Sequence, residues 1–133
     1  MKTVWTNGCY DILHIGHIRL FKYAKSIGGQ LIVGIDSDQR VRKLKGVNRP
    51  INCQEHRKEM LLSIKYVDKV IVFNTEEDLA NHVKRCNANI IVVGSDHKNK
   101  RIIGSEYAQV KFFTRLDDMS STRTLELIRT HAS

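Results

Sequence analysis

Short apolar segments alternate with helical patterns along almost the whole chain. The strand-like segments cover residues 2–6, 31–35, 69–73, 90–93 and 108–113. Strands that are buried on both faces carry near-continuous apolar runs of this kind, and their alternation with helices is typical of a parallel sheet. The sequence therefore predicts a single α/β domain over residues 1–133, a doubly wound, Rossmann-like fold with a five-stranded parallel sheet.

Helical spacing and capping patterns fill the intervals between these strands. The first helix is predicted from the apolar residues at positions 15, 18, 21 and 24, and the glycine pair at 28 and 29 would end it. Asn52 with Glu55 resembles a capping box that opens a helix with an apolar stripe at 60, 61, 64 and 67. Thr75 caps a further helix, and Ser120 or Ser121 a last one.

Basic residues are concentrated in residues 40–49, which contain five of them and no acid. With a formal net charge of +8, the chain favours anionic partners, which include nucleic acid, a membrane surface and small phosphorylated ligands. A solvated basic face is the alternative for this segment. Arg40 is expected to be an exposed charge of this kind.

Several features favour the cytoplasm. No apolar stretch approaches the roughly 20 residues that a membrane-spanning helix needs, and the first six residues do not resemble a signal peptide. Cys9, Cys53 and Cys86 match no zinc pattern and no disulfide framework, so we expect three reduced thiols. We therefore expect no membrane partner.

The loop after the first predicted strand, residues 7–17, has the sequence NGCYDILHIGH. Ligands of doubly wound sheets bind beyond the carboxyl ends of the strands. His14 and His17 are three residues apart and share one face at a helix start, where backbone N–H groups and the helix dipole favour a phosphate. Gly16 would let a phosphate approach the backbone, and Gly8 would permit a tight turn. Two surface histidines are the alternative; neither lies in the apolar stripe, so their replacement should change stability little.

This loop resembles the HIGH motif of the cytidylyltransferase-like nucleotidyltransferases, and the resemblance extends in order over nearly the whole chain. The resemblance implies transfer of a nucleoside monophosphate from ATP or CTP to a phosphorylated acceptor, without a covalent intermediate. His14 and His17 would contact the triphosphate and stabilise the charge that develops at the α-phosphorus. Mg²⁺ would accompany the triphosphate and leave with pyrophosphate, and we expect no protein ligands to a metal.

The same resemblance assigns roles to other residues. Lys43 and Lys45 would reach the phosphates, with Lys45 as a catalytic residue and Lys43 as a nucleotide-binding one. Arg57 would grip the acceptor phosphate with its two-pronged guanidinium, and Asp11 would also contact the acceptor. The nucleotide site would further include Asn7, Gly8, Cys9 and Gly16.

Two later segments complete the resemblance. Residues 94–98, GSDHK, resemble the loop that holds the nucleobase or ribose, where Asp96 would be the contact; a plain turn is the alternative. Residues 115–122 resemble the family's RTxGISTT signature, with Arg115, Ser120 and Thr122 in register as nucleotide-binding residues. Leucine at 116 and aspartate at 118 depart from that signature. Hydroxyl groups at a helix N-terminus can bind a triphosphate, although Ser120 could be a cap alone.

The base and the acceptor stay open between two types. Residues 7–9, 45–46, 49–52, 94–96 and 104–105 favour adenylyl transfer to a sugar 1-phosphate, as in ADP-heptose synthesis. Arg115 and the lone-domain size favour CTP with glycerol 3-phosphate or a similar polyol phosphate or phosphonate. We favour the first type. Family members are often dimers, so a homodimer is compatible with the resemblance.

Two readings outside this activity were weighed. A basic nucleic-acid-binding module would suit the charge, but we find no helix-turn-helix, RNP or zinc-finger signature, and we expect no nucleic-acid partner. An inactive relative that only senses nucleotides is disfavoured by the intact His14 and His17.

Overall fold

A computed structural model describes residues 1–97 and 99–114 and contains a five-stranded parallel sheet. The strands are β1 (Lys2–Gly8), β2 (Gly29–Asp36), β3 (Lys69–Phe73), β4 (Ile90–Gly94) and β5 (Gln109–Phe113). The helices are α1 (Ile15–Gly28), α2 (Asp38–Lys45), α3 (Gln54–Leu62) and α4 (Glu76–Arg85). Every neighbouring pair of strands is parallel. The predicted α/β, Rossmann-like fold is confirmed.

The strand order is β3-β2-β1-β4-β5, so the direction in which the chain builds the sheet reverses at β1. From β1 the chain proceeds outward to β2 and β3, and it then returns to place β4 on the other side of β1. Val4 of β1 accordingly pairs with Leu31 on one side and Ile90 on the other. A crevice forms at such a switch point, because the flanking connections leave on opposite faces. The loop of residues 9–14 begins at this crevice.

Both faces of the sheet are buried, as the apolar strands predicted. On one face Leu31 and Val33 pack with Phe21 of α1, and on the other Trp5 packs with residues of α4. Trp5 has no exposed surface, and its indole requires a neighbouring glycine, since a Cβ at Gly34 would lie 2.4 Å from Trp5 Cζ2. The sheet is therefore a rigid platform for the loops at its carboxyl edge.

Most predicted helices are present, with one wrong cap. Thr75 caps α4 by accepting a hydrogen bond from the backbone of Asp78, as expected. Asn52 does not cap α3: Cys53 is the N-cap residue, and the backbone and side-chain N–H groups of Asn52 both donate to Asp11. Helix α3 ends at residue 62, so positions 64 and 67 of the predicted stripe lie beyond it. The predicted last helix lies outside the described residues.

Among the helices within residues 1–97 and 99–114, none has the length and apolar character to cross a membrane.

Candidate active site

A cleft of about 290 Å³ lies beyond the carboxyl ends of the central strands. The ends of β1, β2, β3 and β4 each contribute to its wall, with Asn7, Asp36, Phe73 and Gly94. Its basic side chains come from several elements and are His17, Arg40, His97, Lys100 and Arg101. The cleft lies at the topological switch point and concentrates positive charge, so it suits an anionic ligand.

Both histidines of the loop cap helix α1. The Nδ1 atom of His14 accepts a hydrogen bond from the backbone N–H of Gly16 at 3.1 Å. The Nδ1 atom of His17 accepts from the backbone N–H of His14 at 3.3 Å, which completes a reciprocal capping box. A nitrogen that accepts a backbone N–H carries no proton, so the proton of each neutral ring is on Nε2. The helix start thus selects the tautomer whose Nε2–H is a donor.

The rings of His14 and His17 are stacked on each other, and His17 also contacts Tyr10. Their centroids are 3.9 Å apart, and His17 also meets the edge of the Tyr10 ring at 5.1 Å. Tyr10 and His17 are both buried, and Tyr10 has a left-handed backbone with a φ of 51°. This differs from the expectation that neither histidine matters for stability, because His17 packs into the core beneath the loop. Such a fixed ring geometry is what precise positioning of a phosphate requires.

The glycines of the loop make room for rings. A Cβ at Gly16 would lie 2.8 Å from Cε1 of His14, closer than real contacts allow. A Cβ at Gly8 would lie 3.0 Å from the Tyr10 ring. Gly16 is predicted to give a phosphate access to the backbone; in the structure its lack of a Cβ also admits the His14 ring to the helix start.

Asp11 is buried and joins the loop to residues 49–52. Its carboxylate accepts hydrogen bonds from Arg49 Nε at 2.8 Å and from the backbone N–H groups of Ile51 and Asn52 at 2.8 and 2.7 Å. Burial acts to raise the pKa of Asp11, but these donors and the charge of Arg49 outweigh it and hold the pKa below its usual value. Asp11 has no exposed surface, so the predicted contact with an acceptor would require the loop to move.

Arg57 also lies inside the protein, with no exposed surface. Its guanidinium donates to the carbonyls of Asn52, Cys9 and Asp36 at 3.0, 2.9 and 2.7 Å, and to a carboxylate oxygen of Asp38 at 2.8 Å. Arg57 is predicted to bind an acceptor phosphate, but its guanidinium is already bonded to three chain segments, at Cys9, at residues 36–38 and at Asn52. Sequence reasoning missed this because the partners are up to 48 residues away.

The basic helix α2 carries Lys43 and Lys45 on its exposed surface, outside the cleft wall. Lys45 is close enough to Cys9 to influence its thiol. Burial raises the pKa of Cys9, and the charges of Lys45 and Arg57 oppose that rise only in part. The thiol is thus neutral near pH 7, in keeping with a reaction that needs no cysteine nucleophile. Lys45 is consequently placed beside the loop, where a flexible cation can reach a ligand.

The position of Arg40 differs from the one predicted. It was expected to be an exposed charge, but its side chain is only 18% exposed and lines the cleft. Arg40 Nε lies 2.7 Å from Asp36 Oδ1, and its guanidinium carbon is 5.5 Å from the centroid of Phe73. Asp36 and Arg40 are four residues apart, which is a spacing typical of ion pairs. Whether the pair lies in the cleft wall depends on where β2 ends. Sequence alone does not give that end.

Few of the predicted contacts line the cleft directly. Asn7 and His17 do so, whereas the other predicted residues of the loop do not line it, namely Gly8, Cys9, Asp11, His14 and Gly16. Asp96 lies in a short 3-10 turn, half exposed, 3.5 Å from His97 Nε2; its neighbours Gly94 and His97 form the cleft wall. Arg115, Ser120 and Thr122 lie outside the described residues. The cleft also contains Lys100 and Arg101, which the sequence did not single out.

Donors for a metal are sparse. Over residues 1–97 and 99–114, no group of three His, Cys, Asp or Glu side chains is arranged to hold a metal ion. The carboxylate in the cleft wall, Asp36, is paired with Arg40. A Mg²⁺ ion that enters on the oxygens of a triphosphate needs few protein ligands, so this donor set is compatible with it.

Curated relatives match this chain along nearly its whole length. The bifunctional protein HldE of Campylobacter fetus is 42% identical over 127 residues, which are 95% of this chain and 28% of that protein. HldE of Helicobacter pylori is 39% identical over 132 residues, again 28% of that protein. The chain therefore spans a little over a quarter of the length of these relatives.

Solved structures share the fold. The lipopolysaccharide core biosynthesis protein of Thermoplasma volcanium superposes with a TM-score of 0.69 at 27% identity, covering 90% of this chain and 99% of that one. Thermotoga maritima TmcAL, bound with alpha-thio ATP, gives a TM-score of 0.68 at 14% identity, covering 98% of this chain and 50% of that one. This second likeness concerns the fold alone.

The sequence profile of the cytidylyltransferase-like family matches residues 5–130. That match includes the end of β1, the histidine loop and every later strand of the described sheet. With the profile covering nearly the whole chain and the histidine pair in place at the switch point, this chain belongs to the cytidylyltransferase-like family of nucleotidyltransferases.

Proposed function

We propose that this protein transfers an adenylyl group from ATP to a sugar 1-phosphate and releases pyrophosphate. The observation that carries the proposal is the pair of stacked, helix-capping histidines beside a basic cleft at the switch point. The similarity to bifunctional HldE proteins and to a lipopolysaccharide core biosynthesis protein supports a sugar phosphate as acceptor, with a heptose 1-phosphate as the first choice. Only part of the activity of a bifunctional protein can reside in the shared quarter.

The chemistry asks the chain to stabilise negative charge on a phosphorus that changes its bonds. An oxygen of the acceptor phosphate attacks the α-phosphorus of ATP in line, and the bond to the bridging oxygen of pyrophosphate breaks. We assign the Nε2–H groups of His14 and His17 as donors to the triphosphate, with the N-terminus of α1 adding its dipole. Mg²⁺, when bound with ATP, would neutralise charge on the leaving pyrophosphate.

Other residues bind and position the reactants in this proposal. Lys45 and Lys43, which are exposed near the end of α2, would contact the phosphates as mobile point charges. Asp96 and the adjoining turn hold the nucleoside, together with Arg115, Ser120 and Thr122. Asp11 and Arg57 position the site without contacting the reactants, because their buried hydrogen bonds hold the loop and the start of α2 in place. The cytoplasm is the proposed compartment.

A pyrophosphate-release screen tests the proposal. Four nucleoside triphosphates are each combined with heptose 1-phosphate, other sugar 1-phosphates and glycerol 3-phosphate, in the presence of Mg²⁺. We expect ATP with heptose 1-phosphate to be fastest, by about tenfold or more in kcat/KM over CTP, because a pocket that hydrogen-bonds one base leaves polar groups unpaired with another. Faster turnover with CTP and glycerol 3-phosphate would establish the cytidylyl alternative instead.

A further inference from the structure

The ion pair of Asp36 and Arg40 has the character of a binding element. Both residues line the cleft, yet their side chains are only 15% and 18% exposed. The backbone carbonyl of Asp36 accepts from the buried Arg57, and the backbone N–H of Arg40 donates to Ser37 Oγ at 3.1 Å. Phe73 lies against the guanidinium. The pair is consequently held in one orientation before any ligand arrives, which is what specific recognition requires.

The pair also retains unused hydrogen-bonding groups. It uses Arg40 Nε and Asp36 Oδ1 at 2.7 Å. Within residues 1–97 and 99–114, no other group is bonded to the two terminal nitrogens of Arg40 or to Oδ2 of Asp36. A guanidinium supplies donors and a carboxylate supplies acceptors. A ligand in the cleft would therefore meet a donor and an acceptor side by side.

The charge of the pair indicates which ligand group it suits. Arg40 is neutralised by Asp36, so the pair attracts a phosphate less than Lys45 does, which has no ion-pair partner among the described residues. A hydroxyl both donates and accepts, and neighbouring hydroxyls of a sugar can satisfy both members at once. The geometry suits the neutral, polyhydroxylated part of a ligand.

The sheet order places this pair on the acceptor side. The histidines follow β1, and the segment proposed to hold the nucleoside follows β4, on one side of β1. Asp36 ends β2 and Phe73 ends β3, on the opposite side of β1. With the phosphates at the histidines and the nucleoside on the side of β4, the part of the cleft at the ends of β2 and β3 is left for the acceptor. The acceptor thus approaches from the side of β2 and β3.

We propose that Asp36 and Arg40 bind the hydroxyl groups of the acceptor sugar and so determine acceptor specificity. The inference rests on the proposed function and names the part of the site that would distinguish a sugar phosphate from a shorter polyol phosphate. Leu44, which is exposed in the same cleft, supplies an apolar surface against which the carbon skeleton of the sugar would lie.

Steady-state kinetics of Arg40→Gln and Asp36→Asn test this inference. We expect the KM for heptose 1-phosphate to rise at least about tenfold, the KM for ATP to stay within about twofold, and the preference for heptose 1-phosphate over glycerol 3-phosphate to fall. Arg42→Gln is the matched control, because it removes the same charge from an exposed position of the same helix. Arg40→Lys keeps the charge but lacks the planar fork, so it should also raise the acceptor KM with a melting temperature near that of the wild type.

Three results are distinguishable. Variants with an unchanged acceptor KM would overturn the inference while the proposed function stands. A raised KM for ATP, with a lost preference for ATP over 2′-deoxy-ATP, would assign the pair to the ribose and overturn it as well. A wild-type protein that releases no pyrophosphate with any substrate pair would instead refute the proposed function.

Discussion

Replacing Arg57 with alanine removes a guanidinium that has no exposed surface and makes four hydrogen bonds to three chain segments. The change leaves the Asp38 carboxylate and three carbonyl oxygens without their donor. Breaking a buried charged pair from one side costs about 3–5 kcal/mol, a third or more of the stability of many small domains. For a domain of this size the melting temperature should fall by about 10–20 °C.

Urea unfolding followed by circular dichroism measures this effect, with Arg85→Ala as the control because Arg85 is exposed near the end of α4. Arg57→Lys should recover only part of the loss, since an ammonium cannot reach all four acceptors at once. An Arg57→Ala protein with wild-type stability and a raised KM for the acceptor alone would refute this reasoning. It would show that Arg57 binds the acceptor phosphate after all.

Three further predictions concern the loop itself. His14→Ala and His17→Ala should each lower turnover at least about a hundredfold in the pyrophosphate assay, because each removes a donor to the transition state, and His17→Ala should also lower the melting temperature; near-normal turnover in both variants would disprove their role. Gly16→Ala should impair turnover, because the new methyl group displaces the His14 ring. The nuclear magnetic resonance signals of the two imidazoles should shift, and unchanged signals would contradict this explanation. Because the pKa of Asp11 is lowered by folding, its ionised form stabilises the protein above the unfolded pKa of about 4, and this contribution is lost as the pH falls through the folded pKa. Asp11→Asn should therefore be less stable at pH 7 and lose less on acidification in urea titrations; a parallel loss in both proteins would oppose this.

The strands and the histidine loop were predictable because their signals are local. An apolar run indicates a strand that is buried on both faces, and the spacing of His14 and His17 indicates the start of a helix. Residues whose position depends on distant segments were not predictable. The basic run predicts an exposed Arg40, but the end of β2 and the ring of Phe73 determine its surroundings.

The wrong prediction of the N-cap of α3 has the same cause. Asn52 has the right residue type and spacing for an N-cap, but its amide donates to the carbonyl of Asp11, 41 residues earlier. The local preference of asparagine was overridden by a contact between loops, and Cys53 took the capping position without a side-chain bond. Arg57 was similarly recognised as important, while its burial could not be seen from its own segment.

The reciprocal cap of α1 couples two properties that an engineer would prefer to vary separately. Each imidazole uses Nδ1 to cap the start of the helix, and in the proposed reaction its Nε2–H donates to the triphosphate, so a replacement must supply an acceptor to the backbone and a donor elsewhere. Asparagine and glutamine offer both groups on one amide, whereas lysine and arginine offer donors alone. A library at positions 14 and 17 selected only for a folded protein should therefore already be enriched in the few side chains that can still serve the reaction.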